Sequence, residues 1–542
     1  MLFTLGIISV LSLGLAPSTR QKGDYVEVEE MREECSKTYL VSEGNYISYY
    51  YGSPINYLKD GHYVPIDTSF EKNDDVFITK SSLNIVKVKN DSITVNDNIS
   101  FSNYLINKQY ECKENVISQN DLSISSFSSS LLFTKKNIKS NGKIYTSSLS
   151  FSTYENANIY KKDNGLLILI NDCSYILTLP ALFNYENNLV IMPYDYSVNI
   201  ENGDFTLDFM FNLNDYVDLS FEQEQQLMYT NYSGTSYIQT KYYQEGYSTT
   251  YNSSLLVGNS SVLDPLGNPT IYKIAIGITL PSLPTGTHSI SNAGLVLKRK
   301  SGNLSSLLIY KTSGISFANI NGTASFSSSY FNSATISGTL FTTDLLSEVI
   351  DDYNNSVSSF NFIVSGGQSN KTCYIYPQSS SSYQPYYYIG FSSSRGNTVS
   401  SRDGSSTQIN CLGYALNISS GSTITSGLTG ATVINAPTKM IAALLNDSNH
   451  NLIDVYQISS YQDLISSNYR IIAFRLKMTA NSAGVLIYSG DYHFRWQTSD
   501  GYWGEKYGYS NQFGYLNVLN ITSDSQWPSA YNSPTYYLAI QQ

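Results

Sequence analysis

Cys411 has the residue type and the local sequence of a candidate nucleophile. It follows Asn410, an adequate N-cap for a helix that starts at the cysteine. A thiol in the first turn of a helix faces unsatisfied backbone amides and the positive end of the helix dipole, which lower its pKa and favour the thiolate. The local sequence alone still favours a buried structural cysteine, and the histidine-bearing strand later in the chain is what favours a reactive one.

The candidate base is His493, one of four histidines in the chain. Strict alternation predicts a strand in which Asp491, His493, Arg495 and Gln497 share one face, and Tyr492, Phe494 and Trp496 the other. The turn at 499–501 then predicts a hairpin. The sequence leaves open that His493 is only a polar strand residue. It also leaves open that His493 binds a metal with Asp491, although no third ligand stands at a convincing spacing.

A Cys/His pair also needs an oxyanion donor and a group that orients the imidazole. Gln408 or Asn410 is a candidate for the donor that would act beside the backbone amide of Cys411. The sequence does not fix the orienting group. Its candidates are Glu505, Asn511 and Asn517 on the return strand, together with Asp491, two residues before the histidine.

Composition excludes several classes of protein. The chain has 542 residues, a net charge of −11, 14% charged residues and 48 tyrosines. No basic run supplies the positive surface on which nucleic-acid binding depends, so nucleic acid is not an expected partner. So few charges beside so many tyrosines indicate a folded, mostly β protein. The length predicts about three or four domains.

The domain prediction follows shifts in composition along the chain. We expect a signal peptide at 1–20, a β domain at 25–220, a β-sandwich at 222–394, a linker at 395–406 and an α+β domain at 407–542. The clearest strand lies in the sandwich, where Tyr272, Ile274, Ile276, Ile278 and Leu280 share one face. The predicted helices of the last domain are 411–418, 438–446 and 462–467, and its strands are 470–478, 485–488 and 491–497.

Cysteine usage bears on the compartment. The chain has five cysteines, an odd number, so at least one thiol stays unpaired. The four cysteines other than Cys411 allow three full connectivities, and the sequence does not choose among them. The apolar run from Leu2 to Leu15 is too short to span a bilayer and favours secretion, with a buried strand as the alternative.

Two segments resemble modules of secreted bacterial proteins. The segment from Lys37 to Phe70 resembles the N-terminal β region of large wall-associated proteins. The order of the pieces 236–258, 272–280, 280–300 and 383–391 resembles the DNRLRE domain, a β-sandwich similar to carbohydrate modules. This resemblance implies display or binding and no chemistry.

The last domain resembles a group of secreted bacterial proteins of papain-like cysteine-peptidase type. The resemblance rests on a cysteine at a helix start and, later in the chain, on a His-bearing hairpin. It implies that Cys411 is the nucleophile and His493 the general base. Asp491, Asp500, Gly501, Trp503, Lys506 and Gly508 match the hairpin motif. The arginine after the histidine, Arg495, is shifted by one position, so no role is carried over to it.

Two functions follow as expectations. The first is a secreted or surface-bound cysteine hydrolase that cleaves protein or peptidoglycan-type substrates, with cell-wall glycan as a further partner. It needs no cofactor or metal, and the sequence shows no transmembrane anchor. The second is a non-catalytic surface or adhesion protein built of β modules. A glycosidase with paired carboxylates is a third and weaker hypothesis, because no pair stands at a defined spacing.

Overall fold

A computed structural model describes residues 25–542. The gaps in this description are 90–91, 103, 105–110, 155, 163–164, 187–188, 202–203, 231–235, 247–249, 252–254, 264–268, 313–315, 324–329, 378–382, 420 and 422. The protein is mostly β, with 55% strand and three α-helices in the described part. These helices are Leu346–Asn354, Cys411–Leu416 and Ala436–Leu445. The predicted signal peptide lies outside the described residues.

Two antiparallel sheets pack face to face in the first part of the chain. The eight-stranded sheet has the order Asp195–Glu201, Asp204–Asn212, Ile144–Thr153, Ile99–Ser102, Ser92–Val95, Val86–Lys89, Val76–Ser81, Asp67–Asn73. The ten-stranded sheet has the order Glu111–Lys113, Val116–Gln119, Leu122–Ser126, Ser130–Asn141, Val217–Tyr229, Cys173–Thr178, Gly165–Ile170, Ala157–Lys162, with Ala181–Asn184 and Leu189–Ile191 beside it. Side chains from both sheets form one core, because apolar residues alternate with polar ones, as in Asp204–Asn212.

The second sheet system contains fifteen strands. Its main path is Val26–Glu27, Ser36–Ser42, Asn45–Tyr51, Tyr386–Ser392, Ser289–Gly302, Leu340–Asp344, Tyr330–Ser337, Ser306–Thr312, Ser359–Gly366, Pro269–Thr279, Ile238–Gln244, Thr250–Tyr251. Leu255–Leu263, Thr372–Ile375 and Ile465–Ser466 attach to it. A separate hairpin joins Asn56–Lys59 to His62–Pro65. The predicted buried face of Pro269–Thr279 is confirmed, since Ile274, Ile276 and Ile278 lie in the core.

The C-terminal region is built on a six-stranded sheet. Its order is Asp454–Ile458, Tyr536–Gln541, Arg470–Ala480, Leu486–Gln497, Trp503–Lys506, Phe513–Leu516. One face packs against the helices Cys411–Leu416 and Ala436–Leu445. The other face carries a second, smaller core around Trp503 and Trp527. The sheet is therefore covered on both faces.

The expected α+β papain-like architecture is not what this region shows. It is β-rich, with two helices of six and ten residues, and it is not a clear α+β papain fold. The helix predicted at 462–467 is wrong. There, Ile465 and Ser466 form a short strand parallel to Ser289 and Ile290 of the large sheet. Pairing with a distant strand has overridden the local preference.

Contacts between distant segments cross the predicted domain limits. Asn45–Tyr51 pairs along its whole length with Tyr386–Ser392, and Val217–Tyr229 lies inside the ten-stranded sheet. The predicted linker also makes contacts, since the Arg402 guanidinium donates to the carbonyls of Tyr414 and Ala415, both at 3.0 Å. The domain limits stay predictions. The first strands nevertheless belong to the same sheet as the second unit.

Candidate active site

Asn410 and Cys411 begin a helix as the sequence predicts. The Asn410 side chain accepts a hydrogen bond from the Gly413 backbone amide at 2.9 Å, which satisfies one of the unpaired amides of the first turn. Cys411 is the first helical residue, and only 6% of its surface is exposed. It is a free thiol, as are the other four cysteines.

The thiol contacts the backbone of the strand that carries His493. Cys411 Sγ donates weakly to the Tyr492 carbonyl at 3.9 Å, and the Phe494 amide faces the same sulfur. These two groups point to the same edge of the strand, because the residues are two apart. The strand Leu486–Gln497 pairs with Trp503–Lys506 only from Arg495 onward. Cys411 therefore lies along the unpaired part of that edge, before Arg495.

The expected low pKa of Cys411 is wrong. Burial raises the pKa of this thiol to about 11, and the backbone amides of Phe494 and Leu412 only partly offset the burial. Desolvation disfavours the charged thiolate, and a six-residue helix contributes too little dipole to reverse that effect. Near neutral pH the thiol is therefore protonated.

His493 is buried on the polar face of its strand, as the alternation predicts. It is 2% exposed, and its Nε2 lies 3.4 Å from Glu505 Oε2. Its ring stacks on Tyr531 at 5.3 Å between centroids, and the Tyr507 ring is at 5.9 Å. Tyr492 and Phe494 point to the opposite face, into the core that contains Cys411.

Glu505 is the orienting candidate that meets the imidazole. Its Oε2 accepts from Arg495 Nε at 2.8 Å and Nη2 at 2.5 Å, and its Oε1 accepts from the Tyr507 hydroxyl at 2.6 Å. Burial by itself would raise the pKa of this carboxyl. The His493 hydrogen bond and the Arg495 charge outweigh burial and lower the pKa to about 2. Glu505 is therefore ionised at any ordinary pH, and it holds Nε2 of His493.

The structure does not join the thiol to the imidazole. Cys411 Sγ contacts the strand Leu486–Gln497 at its edge, in the core into which Tyr492 and Phe494 point. The His493 side chain projects from the other face of this strand. The hydrogen bonds of these two side chains go to Tyr492 and Glu505 respectively, and no described hydrogen bond connects Sγ with His493. The two groups lie beside the same strand, and neither is a described hydrogen-bond partner of the other.

The remaining predicted residues lie around this centre in different roles. The side chains of Gln408 and Asn511 are exposed and make no described hydrogen bond. The exposed Asp491 accepts from the Tyr531 hydroxyl at 3.1 Å. Among the described residues, no three His, Cys, Asp or Glu side chains come together as a metal site.

Two members of the hairpin motif have structural contacts. The buried Trp503 indole donates to the Leu519 carbonyl at 2.7 Å. Lys506 Nζ donates to the Gly404 carbonyl at 2.6 Å and also to Ser510. These contacts fix the return strand and the segment that precedes the Cys411 helix. They do not reach the thiol or the imidazole.

Sequence reasoning missed three residues of the site. Tyr507 stands two positions after Glu505, so strand alternation could have placed it on the same face. Tyr531 is thirty-eight positions beyond His493, and only the tertiary fold brings their rings together. Arg402 was assigned to a linker, yet its guanidinium lies 4.1 Å from the Trp496 ring centroid. No local signal distinguishes it from a solvated arginine.

No protein-family model matches this chain, and no curated protein matches it either. In the described part of the chain, no helix is long and apolar enough to cross a membrane.

Proposed function

We propose that the C-terminal region is a cysteine-dependent hydrolase in which Cys411 is the nucleophile, His493 the general base and Glu505 the orienting group. The observation that carries the proposal is the shared strand. The thiol at a capped helix start lies against the backbone on either side of His493, and Glu505 holds Nε2 of that histidine. Nδ1 makes no described hydrogen bond, so it remains available for the thiol proton.

In the proposed reaction, Nδ1 of His493 takes the Cys411 proton as Sγ attacks an amide carbonyl carbon. The resulting oxyanion is stabilised by backbone amides at the helix start. When the tetrahedral intermediate collapses, the C–N bond breaks and the imidazolium returns its proton to the leaving amine. Water then attacks the thioester with His493 as base, which releases the acid and restores the thiol.

The described conformation corresponds to a resting state in this proposal. A thiol whose pKa is about 11 needs a base, as a hydroxyl nucleophile does. The imidazole must therefore turn about its Cα–Cβ bond toward the edge that Cys411 occupies. That turn lengthens its contact with Glu505, so in this proposal Glu505 orients the ring in the resting state. The resemblance of the sequence motifs around Cys411 and His493 to those of papain-like peptidases supports a peptide or peptidoglycan-type amide as substrate. The resemblance of the preceding β modules supports secretion and location at the cell surface.

A second candidate function is a non-catalytic surface or adhesion protein. It is favoured by the burial of the Cys411 thiol, its raised pKa, and the His493 ring enclosed by Tyr507, Trp527 and Tyr531. In this hypothesis the cysteine fills the core, and the His493 cluster only stabilises the sheet. The fifteen-stranded sheet, which includes strands from all three regions, would then be the functional framework.

Alkylation kinetics distinguish the two functions. The full chain is treated with iodoacetamide from about pH 5 to 9, and labelling of each cysteine is followed by peptide mass spectrometry. The partly exposed Cys173 serves as the internal reference. If His493 acts as base, Cys411 is labelled near neutral pH faster than a thiol with a pKa of about 11 allows. In His493→Ala, Cys411 labelling should then be slow up to about pH 9, because the buried thiol without its base has a pKa of about 11.

Hydrolysis of fluorescent casein and of purified peptidoglycan is measured in parallel, with Cys411→Ala as the inactive control. Slow Cys411 labelling that is identical in the wild type and in His493→Ala, together with no Cys411-dependent hydrolysis of either substrate, would refute the hydrolase. The same result would favour the surface protein.

A further inference from the structure

A cavity of about 190 Å³ lies between the first strands of the large sheet and the loop that follows Pro269–Thr279, and none of its lining residues belongs to the C-terminal region. This volume is well above the ~10–15 Å³ that a single water needs. The residues that decide its chemistry are Glu30, Glu33, Thr38, Ser48, Tyr50 and Phe391.

The floor of the cavity presents hydrogen-bond acceptors. Thr38 Oγ1 and Ser48 Oγ share one hydrogen bond at 2.6 Å, and both residues are buried. Ser36 uses its hydroxyl proton on Glu33 Oε2 at 3.1 Å. Each hydroxyl oxygen has two lone pairs but a single proton. The protons of Ser36 and of one of the other two hydroxyls are already used, so the floor offers lone pairs to a ligand together with the one remaining hydroxyl proton.

The rim of the cavity has an uncompensated negative charge. Among the described residues that line it, Arg32 is the only basic one, and its guanidinium is engaged by Glu27 at 2.7 Å and Glu29 at 3.2 Å. Glu30 forms no described ion pair. Glu33 is fixed through Oε2 by hydrogen bonds from Ser36 and Tyr237, while its Oε1 accepts no described hydrogen bond.

The walls of the cavity are apolar and aromatic. Tyr50 and Phe391 are 5% and 2% exposed, and Pro281 and Pro284 also line the cavity. Aromatic faces attract cations, and proline rings accept an alkyl chain. A carboxylate, acceptor hydroxyls and aromatic walls together suit a group that only donates hydrogen bonds, carries positive charge and has an apolar stem.

We propose that this cavity binds a primary ammonium group on an unbranched alkyl chain. The ammonium has three donors and no acceptor, which matches Glu33 and the hydroxyl floor. An anion would meet Glu30 and Glu33, and the one basic residue in the described lining, Arg32, is already paired with Glu27 and Glu29. A neutral sugar would leave the negative charge uncompensated. Two sources carry this chemistry: a free diamine, and a lysine side chain of a peptide or protein.

The test is calorimetric titration of the full chain. The ligands are 1,5-diaminopentane and Nα-acetyl-lysine amide, and 1-pentanol is the uncharged control. We expect saturable binding of the amines and none of the alcohol. Glu33→Gln should weaken binding severalfold, because the charge of an exposed carboxylate is lost while the Ser36 and Tyr237 contacts hold the side chain in place. Glu43→Gln, an exposed carboxylate in the turn between two strands of the same sheet, should bind like the wild type.

Several results would overturn the proposal: no saturable amine binding, equal binding of 1-pentanol, or unchanged affinity in Glu33→Gln. Glu30→Gln is the second variant, since its exposed side chain has no described partner and its loss leaves the fold intact; we expect a severalfold weaker affinity. Circular dichroism melting checks both variants. Tighter binding of the diamine identifies a free amine as ligand, and tighter binding of the lysine amide identifies a lysine side chain.

Discussion

The carboxylate of Glu505 allows a quantitative test of how the C-terminal sheet is stabilised. The residue is 6% exposed, and its pKa falls from the ordinary 4.5 to about 2. At 1.36 kcal/mol for each pKa unit, its ionised form stabilises the folded state by about 3 kcal/mol. Glu505→Gln removes this same interaction, because it leaves the Arg495 guanidinium buried without its counter-charge, and breaking other buried pairs in this way costs ~3–5 kcal/mol. We expect this variant to lose about 3 kcal/mol of unfolding free energy at pH 7.

The pH dependence gives the sign of the effect. A carboxyl with a lowered folded-state pKa stabilises the protein above its unfolded pKa, and this contribution is lost as the pH falls toward the folded value. The wild type should therefore lose its advantage over Glu505→Gln between about pH 5 and pH 2. Below that range the carboxyl is protonated and resembles the amide.

Urea unfolding followed by tryptophan fluorescence measures this region alone, because all three tryptophans lie between positions 496 and 527. Asp500→Asn is the matched control, since Asp500 is exposed on the turn of the same hairpin and has no described partner. We expect it to change stability by less than ~0.5 kcal/mol. A cost below about 1 kcal/mol for Glu505→Gln, with parallel pH profiles for variant and wild type, would refute the reasoning.

Two further predictions concern the same region. Gly504→Ala should lower the unfolding free energy measured in urea by ~1–3 kcal/mol, because a Cβ would lie 2.3 Å from Trp496 Nε1. Gly514→Ala is the control and should be nearly neutral, because a Cβ there meets nothing within 4 Å. Equal losses in the two variants would contradict the steric argument. Asn410→Ala should lower the unfolding free energy by about 1 kcal/mol through loss of the cap on Gly413, whereas Asn410→Asp should retain it; equal losses in the two variants would show that the cap contributes little.

Local patterns predicted the elements of the candidate site. Alternation placed His493 on the polar face of its strand, and the Asn410 cap located the start of the Cys411 helix. The turn at 499–501 predicted the hairpin that brings Glu505 opposite Arg495. Each of these signals depends on residues within a few positions of each other, because side-chain direction in a strand and amide capping in a helix are set by the neighbouring backbone.

The same patterns failed where distant segments decide the outcome. Residues 462–467 were predicted to be helical, but Ile465 and Ser466 pair with a strand more than 170 positions earlier. Arg402 was predicted to lie in an exposed linker, but it packs on Trp496. Pairing and stacking of this kind depend on which surface the fold presents, and that surface is not encoded in the local sequence.

The sequence by itself determined the mostly β architecture, the capped helix start at Cys411 and the strand face that His493 occupies. Only the tertiary structure decided that Cys411 is buried with a raised pKa and that Glu505 holds the imidazole. It also decided that the thiol lies at the edge of the strand that carries His493, whereas the imidazole projects from one face of that strand. The physical reason is that backbone periodicity is a local property. Desolvation and ion pairing, by contrast, depend on everything packed around a group.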